Sequence, residues 1–181
     1  MQYAILEARE ERWRAKQALA RRFRACVISL CLNIPGPDKN PPGAERACAL
    51  LQAALRKAHA REARAWRGLA ARNGACAAIL HETGGKGADG PYRLMASPLP
   101  GRALKRMAVR LENAHPLGRL ADIDILTEKG APVSRADLGL PPRVCFLCGE
   151  PAALCRRRRN HSQESLSAFI AATLQGASAE G

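Results

Sequence analysis

Aromatic residues are scarce, with three Phe, two Trp and two Tyr among 181 positions. Proteins that grip single-stranded nucleic acid stack its bases on exposed rings, so the scarcity argues against that class. Long apolar runs are missing too. The stretch Cys26-Val27-Ile28-Ser29-Leu30-Cys31-Leu32 is among the longest, and it falls well short of the roughly 20 apolar residues that cross a bilayer. Glu7, Glu10 and Glu11 stand where the apolar core of a signal peptide would have to lie. These features lead to the expectation of a cytoplasmic protein with no membrane partner. No repeat of solenoid length is visible. Hydrophobic residues at 47% and charged residues at 25% match globular averages, which sets aside a disordered or fibrous chain.

Negative charge is also in short supply. Sixteen Asp and Glu face 29 Lys and Arg, a formal net charge of +13. Such a surface attracts anions, and nucleic acid, a phosphorylated small molecule or an acidic protein would each satisfy it. Seven cysteines, an odd number in a chain expected to be cytosolic, read as thiols or metal ligands rather than a disulfide framework. Cys26, Cys31, Cys48 and Cys76 sit among aliphatic neighbours and read as inert buried thiols. Cys145, Cys148 and Cys155 are set apart from them.

The length suits one domain. Residues 3 to 24 lack Gly and Pro, are rich in Ala, Glu and Arg, and place Glu10 four positions before Arg14, which predicts a helix. Cys26 to Ile34 predicts a buried strand stopped by Pro35-Gly36-Pro37-Asp38. Ala44 to Arg72 predicts a long basic helix ended by Asn73-Gly74. Ala75 to His81 and Tyr92 to Ala96 read as two strands joined by the glycine-rich loop Glu82 to Gly87. Gly101 to Asn113 carries Leu104, Met107, Ala108 and Leu111 at helical spacing. Leu117 to Thr127 reads as a strand, Pro132 to Pro142 as loop and Ser165 to Leu174 as a last helix.

The most informative segment is His115-Pro116-Leu117-Gly118-Arg119-Leu120-Ala121-Asp122-Ile123-Asp124-Ile125-Leu126. Alternate residues of a strand share a face, so Asp122 and Asp124 would project together, and like charges held that close invite a cation between them. Mg²⁺ suits two carboxylates with water and substrate phosphates completing its shell, the arrangement of metal-assisted phosphoryl or nucleotidyl transfer. A solvated acidic pair at a sheet edge is the plain alternative. Arg119 has the geometry to clamp a phosphate, or to pair with an acid such as Asp122. Lys39, after the Pro-Gly-Pro loop, and Lys105, on the basic side of its helix, are further anion candidates. Gly84-Gly85-Lys86-Gly87 lacks the full spacing of a phosphate-cradling loop and reads as a flexible hairpin loop. Cys145, Cys148, Cys155 and His161 offer three sulfurs and an imidazole with short connections, compatible with a structural Zn²⁺. Reduced thiols or redox exchange are the other readings of that set. His59, His81 and His115 read as core or surface residues.

Four blocks carry a family resemblance. They are Leu6-Glu7-Ala8-Arg9-Glu10-x-Arg12 with Gln17; Leu32-Asn33-Ile34-Pro35-Gly36-Pro37-x-Lys39; His115-Pro116-Leu117-Gly118-Arg119-Leu120-x-Asp122-x-Asp124; and Arg143-x-Cys145-x-x-Cys148 continuing to Cys155 and His161-Ser162. In this order the chain resembles the citrate lyase holo-acyl-carrier-protein synthases, or apo-citrate lyase phosphoribosyl-dephospho-CoA transferases. The resemblance implies transfer of a phosphoribosyl-dephospho-CoA group from its triphosphate donor to a serine of the citrate lyase acyl carrier subunit, with release of pyrophosphate. It implies a nucleotidyltransferase-like chemistry with Mg²⁺ on Asp122 and Asp124 and Arg119 beside them. It adds Asn33, Gly118, Arg158 and His161 to Lys39 and Lys105 on the substrate side. Ala121 stands where the family has a larger residue, and Arg156-Arg157-Arg158-Arg159 is more basic than the family's usual mix.

The expected architecture is α+β, a nucleotidyltransferase-like mixed sheet flanked by helices. One transferase domain would span 1–175, with the Cys/His segment 143–162 inside it and a flexible tail at 176–181. A third metal carboxylate is not identifiable. The alternative function is a basic, zinc-stabilised nucleic-acid-binding module using Arg156 to Arg159 and the long basic helix. Two acids on one apolar strand fit it poorly.

Overall fold

The computed structural model describes residues 2–69 and 78–179. Five strands form one sheet in the order β2-β3-β1-β4-β5, from β1 (Cys26–Leu32), β2 (His81–Gly87), β3 (Gly90–Ser97), β4 (Ala121–Leu126) and β5 (Pro132–Val133). α1 (Gln2–Phe23), α2 (Ala44–Leu69) and α3 (Gly101–Ala114) pack against it, α4 (Ala152–Arg158) follows, and α5 (Gln163–Ala179) packs on α2. The α+β class holds. The sheet differs from the mixed one expected, because all four strand pairings are antiparallel.

β1 is apolar along its length because it is the central strand: all seven residues are buried, as a strand covered on both faces requires. Its even-numbered residues Ile28 and Leu30 join Met95, Ile123 and Ile125 in the main core, against Leu51 and Leu55 of α2, Leu104 and Met107 of α3, and Ile170 and Leu174 of α5. Burying each such side chain contributes about 1.5–3 kcal/mol. The opposite face is far less apolar. There Val27, Leu94 and Leu126 meet Leu19 and Ala20 of α1. Further along the same face the sheet carries Cys31, Asp122 and Asp124, so α1 covers a surface that is half oil and half charge.

Several local expectations change. The glycine-rich loop is a strand: Gly84 pairs with Arg93 and Gly85 with Tyr92, and the turn is Ala88-Asp89, between the paired Gly87 and Gly90. A Cβ at Gly84 would lie 2.5 Å from the Tyr92 carbonyl oxygen, so glycine there admits the neighbouring strand rather than supplying flexibility. The stretch expected as a strand over Leu117 to Thr127 is extended only from Ala121. Residues 117–120 form turns closed by Gly118 N–H to His115 O at 2.7 Å and Leu120 N–H to Leu117 O at 3.0 Å. Pro132 to Pro142 contains β5 and a 3₁₀ turn at Ala136–Leu138. α4 was not anticipated, and α5 begins before Ser165 and runs to Ala179. The Asn73-Gly74 stop and residues 75–77, Cys76 included, lie outside the described residues; of the rest of the expected Ala75 to His81 strand, 78–80 are not extended and only His81 enters β2. No described helix is long and apolar enough to cross a membrane.

Candidate active site

The expected pairing of the two acids on one face is realised. Asp122 is half-buried and Asp124 exposed, while Ile123 between them and the flanking Ala121 and Ile125 are buried. The register sets Asp122 opposite Cys31 and Asp124 opposite Ser29 of the central strand. Burial, together with the charge of Asp124, raises the Asp122 carboxyl above the usual range, while Arg143 opposes the shift. The Cys31 thiol donates toward Asp122 Oδ2 at 3.6 Å. Burial first, then Asp122, pushes that thiol up to about 12, partly offset by Arg12, so Cys31 acts as a neutral donor rather than a nucleophile.

Cations surround the pair. Lys16 of α1, almost fully buried, points its Nζ at Asp124 Oδ2 from 3.4 Å. It also stacks over the Trp13 ring at 5.1 Å. Arg143 lies 3.8 Å from Asp122 Oδ1 and 2.9 Å from Glu112 Oε1, and it donates to the Ala121 carbonyl. Arg12 forms an ion pair with the buried Asp89 at the tip of the β2–β3 hairpin. Arg12 and Lys16 follow the same inward stripe of α1 as Ile5, Leu19 and Ala20. Two cations on a stripe meant for the core are the signal that sequence reading passed over.

Glu112 is the nearest approach to a third carboxylate, and its oxygens are already used. It is buried, accepts the Ile123 N–H at 3.2 Å, and pairs with Arg135 and Arg143. Lys105 is its counterpart: its Nζ donates to Ile123 O at 3.0 Å. Together they satisfy the outer edge of β4 where β5 is too short to reach. Lys105 thus sits at a strand edge, not beside the acid pair.

The remaining candidates divide. Lys39 is half-buried and donates to the Ile34 carbonyl; burial and then Arg9 lower its pKa, while Asp89 raises it. It therefore shares the hairpin-tip neighbourhood with Arg9, Arg12 and Asp89. Asn33 is exposed, and its N–H bonds Leu120 O at 2.7 Å, tying the Pro-Gly-Pro loop to the turn before β4. Gly118 lies where a Cβ would meet Glu112 O at 2.4 Å and Leu111 O at 2.7 Å, so only glycine lets this turn abut the end of α3. Arg119 donates to the Cys145 carbonyl rather than to Asp122. Arg158 is exposed in the last turn of α4 beside Arg156 and Arg157, where cations complement the helix C-terminus.

Cys145, Cys148, Cys155 and His161 come together as expected. Their ligand atoms all lie within 4.8 Å of one another. Tetrahedral zinc with bonds of about 2.3 Å to sulfur would need edges of about 3.8 Å, so the set fits a metal such as zinc with small adjustment. Cys145 and Cys148 sit on a narrow loop closed by the Val144–Pro151 bridge and by Cys145 N–H to Glu150 O at 2.8 Å. Cys155 lies within α4, and His161, just beyond it, places Nε2 3.3 Å from Cys148 Sγ.

Comparison with known proteins identifies the family. The family model described as apo-citrate lyase phosphoribosyl-dephospho-CoA transferase matches residues 2–177. Proteins of that name from Escherichia coli O6:K15:H31 and O9:H4 are 34% and 35% identical to this chain over 162 residues, covering 90% of this chain and 81% of each relative. The one from Shigella boydii serotype 18 is 33% identical over the same span. No support comes from these matches for the nucleic-acid-binding alternative. Arg56 and Arg110, two of the arginines on or beside the long basic helix, are ion-paired with Glu82 and Glu62. With the carboxylate pair and its cations on the sheet, the match over residues 2–177 and the 33–35% identity to these relatives place this protein in the apo-citrate lyase phosphoribosyl-dephospho-CoA transferase family.

Proposed function

We propose that the protein transfers a phosphoribosyl-dephospho-CoA group from 2′-(5″-triphosphoribosyl)-3′-dephospho-CoA to a serine of the citrate lyase acyl carrier subunit. The serine oxygen forms a bond to the α-phosphorus, the bond from that phosphorus to the leaving oxygen breaks, and pyrophosphate departs. The hydroxyl proton is taken up by solvent or the released pyrophosphate. The observation that carries this reading is the Asp122 and Asp124 pair on one sheet face with Lys16 and Arg143 against it.

The donor set fits Mg²⁺, two hard carboxylates converging on one face, and Asp122 and Asp124 would hold it. When bound, it supplies charge neutralisation and orientation for the phosphates. The chain's own cations do the rest. Lys16 and Arg143, held against the carboxylates, would donate to the donor phosphates from where they stand, with Lys39 farther toward the hairpin tip. Fixed charges of this kind need no reorganisation as negative charge shifts to the leaving group. The net charge of +13 speeds encounter with an acidic donor and an acidic carrier. The Cys/His cluster is read as a structural Zn²⁺ site.

Intact-mass measurement tests the reading. The protein is incubated with Mg²⁺, the triphosphate donor and the apo carrier subunit, with Asp122→Asn in parallel. A carrier mass gain equal to the phosphoribosyl-dephospho-CoA group, absent with the variant, is expected. No gain from authentic donor and folded carrier would refute the transfer.

A further inference from the structure

The Cys/His cluster and the acid pair are linked by two arginines. Arg119, in the turn that leads into β4, donates to the carbonyl of Cys145. Arg143, two positions before Cys145, donates to the carbonyl of Ala121 and reaches both Glu112 and Asp122. The two bonds run in opposite directions, one from each segment to the other's backbone. They fasten the start of the Cys/His segment to the start of the carboxylate strand.

The segment they fasten has little to hold it by itself. Across 143–161 only Cys145 and Cys155 are buried, and regular structure is limited to one isolated bridge and the seven-residue α4. Phe146 stacks on Phe169 at 5.3 Å, a single aromatic contact with α5. A stretch this poor in apolar burial does not offset its own chain entropy and needs a cross-link. The buried residues are both thiols, converging with Cys148 and His161, so the cross-link the chemistry offers is a metal.

We propose that one Zn²⁺, held by Cys145, Cys148, Cys155 and His161, is the clamp that keeps Arg143 against Asp122, and that zinc occupancy thereby sets how well the site takes up its phosphorylated donor. On binding, the three thiols release their protons to solvent and His161 ligates as neutral imidazole. Arg143 is then a positioned cation whose place depends on a metal site outside the acid pair. The functional half rests on the transferase reading; the structural half does not.

The test uses the full-length protein purified under reducing conditions. Zinc is quantified by elemental mass spectrometry, removed with a strong chelator and restored with zinc salt, and hydrogen exchange is followed in peptides covering 117–126, 143–161 and β1. The expected result is one zinc per chain. Its removal speeds exchange roughly tenfold or more in 143–161 and 117–126, leaves β1 unchanged, and reverses on adding zinc. Cys148→Ser should lose zinc with the same exchange pattern. Arg143→Lys should keep zinc while raising the donor KM, as stripping wild type does.

Protein that carries no zinc when purified under these conditions and takes up none from added zinc salt would overturn the proposal. So would zinc whose removal leaves 117–126 and the donor KM unchanged, or whose removal opens β1 as well, since the ion would then support the whole fold. Failure of the transferase reading looks different: zinc-loaded wild type would show the full exchange pattern and still add no mass to the carrier.

Discussion

Lys16 Nζ lies 3.4 Å from Asp124 Oδ2, joining a helix at one end of the chain to the carboxylate strand far along it. The lysine side chain is 8% exposed and the aspartate 53%, so the cation is built into the wall of the site and the acid faces its mouth. A buried ammonium with one carboxylate partner retains donors for an incoming phosphate. Lys16→Met should lower transfer by about 10²–10³-fold, the usual cost of removing one preorganised charge at such a site. Rates from intact mass at limiting and saturating donor check this, and near-wild-type rates would remove Lys16 from the machinery.

Asp124→Asn should abolish transfer and leave the circular-dichroism spectrum unchanged. Asp122→Asn should do the same and also raise the melting temperature measured without added Mg²⁺. The reason is that burial and Asp124 disfavour the charged form of Asp122, so replacing it by a neutral amide removes a cost to folding. A fall in melting temperature would mean that Arg143 compensates Asp122 fully.

The pair Arg12–Asp89 is a structural tie beneath the site, with side chains 13% and 2% exposed. Arg12→Ala leaves a carboxylate buried at the hairpin tip and should destabilise the fold by about 3–5 kcal/mol. The double change Arg12→Met with Asp89→Asn should recover much of that loss. Urea titration of the single and double variants separates lost pairing from lost packing.

His59 gives the protein an acid-side stability limit. Its Nε2 sits 2.8 Å from Ser97 Oγ, and burial lowers its pKa below 6.5 despite the opposing charge of Glu62. A depressed folded pKa contributes stability that is present above the unfolded value and lost as pH falls through the folded one. Melting temperature should therefore decline as pH drops below 6.5. His59→Gln, able to keep a bond to Ser97, should flatten that slope, and an unchanged slope would assign it to the carboxylates.

Much of this was legible in advance for physical reasons that act locally. α1 follows from an unbroken run of good helix formers, β1 from a short apolar run ended by Pro35-Gly36-Pro37, and the shared face of Asp122 and Asp124 from the two-residue period of a strand. The convergence of Cys145, Cys148, Cys155 and His161 was readable beside the thiol and redox alternatives, because three sulfurs and an imidazole with short connections match a metal-ligand set. The glycine strand β2 was not readable, since its pairing with β3 overrides the poor strand propensity of Gly84, Gly85 and Gly87. Neither was the destination of Arg119, which composition alone could send to a phosphate, an acid or a backbone carbonyl.

By itself, the sequence determined the longer helices, the buried strand, the acid pair on a common face and the closeness of the Cys/His group, because each depends on residues near one another in the chain. Only the tertiary structure decided which charges meet. Packing α1 under the sheet brings Lys16 to Asp124, and folding the Cys/His segment back onto β4 brings Arg143 to Asp122 and Arg119 to Cys145. Charge interactions fall off within a few ångströms of partly screened space, so they are set by which surfaces the core apposes and not by distance along the chain.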